Sequence, residues 1–217
     1  MLGLMGRKVG MTQFYNERGE AVPVTLIEVG PCTVTQVKTN EKEGYAAVQL
    51  GFGEKRDKRL TKAQLGHFRK NGLKSSRWLK EFHVPDPSAH TVGQTLGADF
   101  FEVGKRVDVI GTTMGRGFQG VVKRHRFKGG SMSHGTKTKD QPGSIGASAF
   151  PSRVIKGKRL PGHMGTARLT AKNLVVGAVD ADQNTVAVRG AVPGKPEGLV
   201  VIRPAKDDAA KLAAGKK

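Results

Sequence analysis

Residues 115–165 form a run that no ordinary core can absorb, set between two stretches rich in β-branched residues. It reads "GRGFQGVVKRHRFKGGSMSHGTKTKDQPGSIGASAFPSRVIKGKRLPGHMG" and carries eleven Lys and Arg, eleven Gly and a single acid, Asp140. Connections inside compact domains are about 4–6 residues long, and beyond about 15 they are functional or disordered. From Gly129 to Pro151 the only large aliphatic or aromatic side chains are Ile145 and Phe150. No period of 2 or 3.6 is present there to bury a strand or helix face. The chain therefore reads as a globular domain with a long basic extension. Glycines let the backbone approach a surface closely and adopt positive φ. A plain basic tail needs no such pattern of Gly among Ser, His and Met.

The flanks have ordinary core-forming patterns. Ala21–Gly30, Cys32–Thr39 and Tyr45–Gly53 are rich in β-branched residues and bounded by turn formers, which predicts strands. Phe100, Phe101 and Val103, then Val107, Val109 and Ile110 after a Gly-Lys turn, continue the β pattern. Three more strands are predicted over 173–180, 184–190 and 198–203, the first two joined by a turn at Asp182-Gln183-Asn184. Between about 54 and 90 lies an insertion with a weak helical stripe, Leu60–Ala63–Leu65–Phe68, ending at Asn71-Gly72. Short strands at this spacing suit a small barrel or a sandwich. The expected layout is a globular domain over 1–114 and 166–204, the extension over 115–165, and a tail over 205–217 that frays. No apolar run approaches the roughly 18 residues of a membrane span. The start lacks a signal-like apolar stretch, so secretion is not expected. Cys32 is alone, cannot form an internal disulfide, and reads as a small buried hydrophobe.

Charge narrows the function. The chain has 37 Lys and Arg against 18 acids, a formal net charge of +19, of which the extension supplies +10. Such a field attracts polyanions. The expected contact residues are Arg116, Lys123, Arg124, His125, Arg126, Lys128, His134, Lys137, Lys139, Arg153, Lys156, Lys158, Arg159 and His163. Phe127 and Phe150 are candidates for stacking on bases. "EKRDKRLTK" (Glu54–Lys62) is a weaker candidate because acids alternate with its bases. "GRGFQG" (Gly115–Gly120) matches a dinucleotide fingerprint, but the acid that should end a second strand about 20 residues on is missing. The histidines lack metal-ligand spacing, and Ser131 and Ser133 beside His134 have no neighbouring acid to complete a hydrolytic triad. No enzyme, cofactor, metal or small-molecule substrate is expected. An oxidoreductase and a DNA-compacting protein remain the competing classes. RNA is favoured over DNA because no helix-turn-helix, zinc finger or basic zipper is visible, and because an irregular extension suits the crevices of a folded RNA.

"MLGLMGRKVGMTQ", "GTTMGRGFQGVVKRHRF", "SHGT", "PGSIG" and "KGKRLPGHMG", in that order, resemble the family of bacterial large-subunit ribosomal protein L three, from residue 1 to about 204. The resemblance implies a mainly β fold with minor α. Its parts would be a small six-stranded β-barrel of the translation-protein type, a helical insertion, and a long irregular extension. It implies binding to large-subunit ribosomal RNA near its 3′ end, early in assembly, in the cytoplasm. The implied neighbours are the L fourteen and L nineteen proteins, with no membrane contact and no homo-oligomer. The tip, around Gly143–Arg153, would approach the peptidyl transferase centre without doing chemistry, in the region whose changes alter antibiotic binding there. Many members carry Gln-Asn-Gln after "PGSIG", with the second Gln methylated on its amide. Here Ala147-Ser148-Ala149 follows. Ala149 has no amide, so no methylglutamine is expected.

Overall fold

The computed structural model describes residues 2–205. The tail expected to fray lies outside the described residues, apart from Ala205, which is buried. The chain divides into two compact units, Thr113–Ala167 and the residues on either side of it.

The flanking unit is mainly β, as its sequence predicts. Its first strands are β1 (Leu4–Tyr15), β2 (Ala21–Val29) and β3 (Cys32–Lys38), then a short helix α1 (Asn40–Glu43) and β4 (Ala47–Glu54). Helix α2 (Lys62–Lys70), β5 (Ser76–His83), β6 (Thr95–Leu96) and β7 (Arg106–Thr112) follow. Within 113–167 lie β8 (Phe118–Gln119), α3 (Val121–His125) and β9 (Gly162–His163). The chain returns through β10 (Arg168–Asp180), β11 (Thr185–Arg189) and β12 (Leu199–Pro204). Antiparallel pairing runs β1-β12-β7-β10-β11-β2 and closes from β2 back to β1, a closed barrel. A four-stranded antiparallel sheet has the order β5-β4-β3-β6.

Runs of β-branched residues explain the barrel strands, which bury residues on both faces in places. In β2, Ile27 and Val29 face the main core cluster, while Val22 and Val24, on the opposite pleat, are buried in a small separate cluster with Ala187; β11 and β12 bury Val186, Val188, Val200 and Ile202. Ile27, Val29, Val186, Val188, Val200 and Ile202 join Leu4, Val107 and Val109 in one cluster that continues into Val34, Leu50 and Phe82 of the second sheet. Asp108 is buried within the barrel wall. Its carboxylate accepts from the Asn173 amide at 3.1 Å and from the Arg203 guanidinium at 3.2 Å. That first bond falls where β10 bulges between Ala171 and Leu174, with Asn173 in the left-handed region.

Several expectations need correction. The sequence pattern gives strand bounds only from Ala21 on, whereas β1 precedes them; it carries Gly6 and Gly10 and exposes Val9 and Met11. Gly6 is required by crowding, because a Cβ there would lie 2.6 Å from the Glu28 carbonyl oxygen. β5 lies inside the insertion expected to be helical, and its alternation is scrambled: Leu79 is exposed while Lys80 is half-buried. Phe100, Phe101 and Val103 form no strand. Residues 98–100 make a 3-10 turn that buries Ala98 and tucks Phe101 into the core. The helix over 62–70 does form, with a capping box that the stripe alone did not reveal. The Gln64 amide donates to the Thr61 hydroxyl, and the Gln64 side chain accepts from the Thr61 amide. Only Phe68 of the stripe is buried. Cys32 is fully buried, donates to the Met5 carbonyl at 3.3 Å, and has its thiol pushed up to about 11 by burial.

Candidate nucleic-acid interface

The unit 113–167 begins as a stem. The Thr113 amide donates to the Ala167 carbonyl at 2.9 Å and the Thr166 amide to the Thr113 carbonyl at 3.1 Å. The Arg116 amide donates to Met164, and the Met164 amide to Gly117, each at 2.9 Å. β8 and β9 then pair antiparallel, Phe118 with His163 and Gln119 with Gly162. The sequence suggested no internal ladder in this segment, and the stem corrects that. Two-residue strands separated by 42 intervening residues leave no periodicity to read.

Helix α3 follows β8 and buries Val121. From it, Arg124 donates to the Leu160 carbonyl at 2.7 Å, and the His125 Nε2 lies 3.1 Å from the same oxygen. A carbonyl only accepts, so this nitrogen carries the proton. Arg124 and His125, two of the expected contact residues, thus close the stem and are half-buried. Arg124 needs Gly162 opposite it, where a Cβ would meet the guanidinium at 2.8 Å.

Beyond the stem the backbone supports itself only locally. The Gly130 amide donates to the Lys139 carbonyl at 3.1 Å and closes a small loop over 131–138. Between 140 and 159 the intramolecular bonds span three residues or fewer: Ser144 to Gly146, Ser152 to Ala149, and Lys158 to Ile155. In 131–159 every residue is exposed except Thr136 and Pro151, which are half-buried. Lys137, Lys139, Arg153, Lys156, Lys158, Arg159 and His134 all stand in solvent, as do Arg116, Lys123, Arg126, Lys128 and His163 nearer the stem. Among the described residues none of the eleven Lys and Arg of this unit takes part in an ion pair. Phe150 is 90% exposed, while Phe127 is half-covered, with its ring 6.1 Å from that of His125. Phe118, which sequence reasoning passed over, is 75% exposed. An aromatic in a Gly-rich run with no apolar partners at strand spacing was the available signal.

The catalytic alternatives fail on geometry. β7, the strand before "GRGFQG", pairs antiparallel with β10 and β12, whereas a dinucleotide fold needs a parallel βαβ unit. The Arg116 amide, which such a loop would aim at a pyrophosphate, is spent on Met164. The Ser131 hydroxyl donates to the Ser133 carbonyl and accepts from the Ser133 amide, and neither bond involves His134. No group of three or more potential metal ligands occurs among the described residues. No described helix is long and apolar enough to cross a membrane.

What remains is an exposed, unpaired cationic loop on a hydrogen-bonded stem, an arrangement that suits a polyanion. Comparison with known proteins agrees. A family model described as Ribosomal protein L3 matches residues 62–186. A Pelotomaculum thermopropionicum protein named large ribosomal subunit protein uL3 is 54% identical over 203 residues, covering 94% of this chain and 96% of its own. Proteins of that name from Alkaliphilus metalliredigens and a Nostoc species are 52% and 50% identical, each covering 94% of this chain and 97% of its own. The chain belongs to the ribosomal protein L3 family, whose members are structural and not enzymes.

Proposed function

We propose that this protein is a structural constituent of the large ribosomal subunit that binds its RNA through the basic extension. The observation carrying this reading is the set of eleven unpaired cations on 113–167, a segment with one acid and almost no apolar burial of its own. Each Lys or Arg that neutralises a phosphate releases condensed counterions, so many exposed cations on a thin loop give strong, salt-dependent binding. Arg forks onto phosphate oxygens and stacks on bases, and Phe150 and Phe118 offer further stacking surfaces. The contact set is Arg116, Lys123, Arg126, Lys128, His134, Lys137, Lys139, Arg153, Lys156, Lys158, Arg159 and His163. Arg124 and His125 join it by holding the stem.

On this reading the globular part, 1–114 with 166–204, is a translation-protein type barrel that anchors the protein on the subunit. The extension, 115–165, follows ribosomal RNA toward the peptidyl transferase centre, with its tip near Gly143–Arg153. The protein joins early in assembly, in the cytoplasm, beside the L fourteen and L nineteen proteins. It takes no cofactor and forms no homo-oligomer. Ala149 leaves no amide to methylate, so intact mass should equal the sequence mass at this position.

The test is binding to large-subunit RNA across a salt series, for the full chain and for a variant in which 131–159 is replaced by a short Gly-Ser turn. That variant keeps the stem. Affinity should fall about 100-fold or more on replacement, with a shallower salt slope. Unchanged affinity, or equal binding to a DNA duplex of the same length, would refute the reading.

A further inference from the structure

On the globular unit, Glu54, Lys55, Arg56, Arg59, Arg77 and Trp78 line a concavity of about 660 Å³. Four of the six are cations and one is an acid. Among the described residues none of these four cations forms an ion pair. The adjacent acid, Asp57, is engaged by the Ser75 hydroxyl at 2.6 Å, which reduces its competition for them. The Lys55 amide donates to the Ser75 carbonyl at 3.1 Å and holds the segment against the start of β5.

The aromatic part is built with equal care. Trp78 stacks on Phe52, with centroids 5.7 Å apart and planes 19° from parallel. The Arg77 guanidinium sits 4.3 Å from the Trp78 ring centroid. Gly53, at φ +69°, makes room for the indole, since a Cβ there would lie 2.9 Å from its Cζ3. Arg77 is exposed while Trp78 is half-buried. The result is a flat cationic shelf, backed by an indole, in a recess with two further guanidinium groups. A shelf of this kind suits a base with a free face, and a base inside a duplex has none.

We propose that this recess is a seat for a single unstacked ribonucleotide, its base lying on Arg77 and its phosphate held by Arg56 and Arg59. Glu54 at the rim accepts from a base amino group or a ribose hydroxyl. The proposal rests on the reading of the chain as an RNA-binding protein, but concerns a surface outside the extension.

Trp78 is the chain's only tryptophan, so its fluorescence reports this recess and no other site. The full chain is titrated with hexa-adenylate, with an abasic ribose-phosphate hexamer, and with oligo-glutamate. Hexa-adenylate should quench Trp78 saturably and bind about fivefold or more tighter than the abasic hexamer. Arg77→Lys, which keeps the charge and loses the plane, should abolish that preference. Arg56→Gln with Arg59→Gln should weaken both nucleic-acid probes by roughly tenfold. The proposal is overturned if the abasic hexamer or oligo-glutamate quenches as well as hexa-adenylate, or if Arg77→Lys changes nothing. Silence from Trp78 while the chain still binds large-subunit RNA sinks the seat alone. Failure to bind that RNA at all sinks the parent reading too.

Discussion

In the globular unit some cations sit beside acids. Arg7 lies between Glu28 and Glu197, each at 2.6 Å, Lys38 lies 2.7 Å from Glu81, and Arg203 meets buried Asp108. In 113–167 eleven cations face one acid, and no ion pair forms among the described residues. The globular unit buries a contiguous apolar cluster, whereas 113–167 buries a single large hydrophobe, Val121. The contrast shows two sources of order in one chain. One unit builds its own core and several ion pairs, and the other, among the described residues, builds neither.

The comparison breaks most sharply in amide exchange of the isolated protein. Strand amides of β2, β7 and β12 should exchange only through global opening, and those of 131–159 within seconds, a gap of several orders of magnitude. Stem amides at Arg116 and Met164 should fall between. Strong protection across 131–159 would show that the distal loop holds itself, contrary to the contrast.

A smaller gap should separate two identical truncations. Ile202→Ala, at a fully buried barrel position, should cost about 2–5 kcal/mol in denaturant unfolding. Ile155→Ala, at a position 63% exposed in the distal loop, should cost less than about 0.5 kcal/mol. Equal costs would erase the distinction.

The smallest effect sharpens the charge side. Hydrogen bonding from Lys38 lowers the Glu81 carboxyl, with Tyr45 and Gln49 adding bonds of the same sign against partial burial. A lowered carboxylate stabilises the fold above its unfolded value of about 4.3, and that stability is lost as pH falls through the folded value. Lys38 is raised by the same bond, so its share persists at neutral pH and is lost only in strong alkali. Glu81→Gln should therefore unfold more easily at pH 7 by up to about 1 kcal/mol, discounted for solvent screening. The difference should vanish once the pH has fallen below the lowered folded value of that carboxyl. An equal deficit at both pH values would mean that packing, not charge, is what the variant removes.

The parts of this molecule legible in its sequence are those with a repeating local signal. β2, β11 and β12 are dense in β-branched residues, α2 ends at Asn71-Gly72, and the cation density of 115–165 needs no fold to be noticed. β1 drew no bounds because its glycines, Gly6 held by crowding, interrupt the pattern, and β5 escaped because Lys80 is half-buried while Leu79 is exposed. In the interface, the exposed cations were legible and the stem was not. Arg124 and His125 look like their neighbours in sequence, and only the approach of Leu160, 35 and 36 residues on, gives them a different task. The Arg77 shelf was equally silent, because Phe52 and Trp78 meet across paired strands β4 and β5.

Thr112 and Arg168 are direct register partners of β7 and β10. The two strands would therefore form an ordinary hairpin if joined by a tight turn, and the 55 residues between them are a loop that the barrel closes at its own expense. Exchanging a loop of that length for one of four residues returns about 2 kcal/mol of closure entropy. The barrel is thus a socket: it gives up a modest part of its own stability to carry a cargo of any length that begins and ends at adjacent points. Lengthening or shortening that cargo changes the cost only logarithmically, so its reach can vary between relatives while the barrel stays as it is.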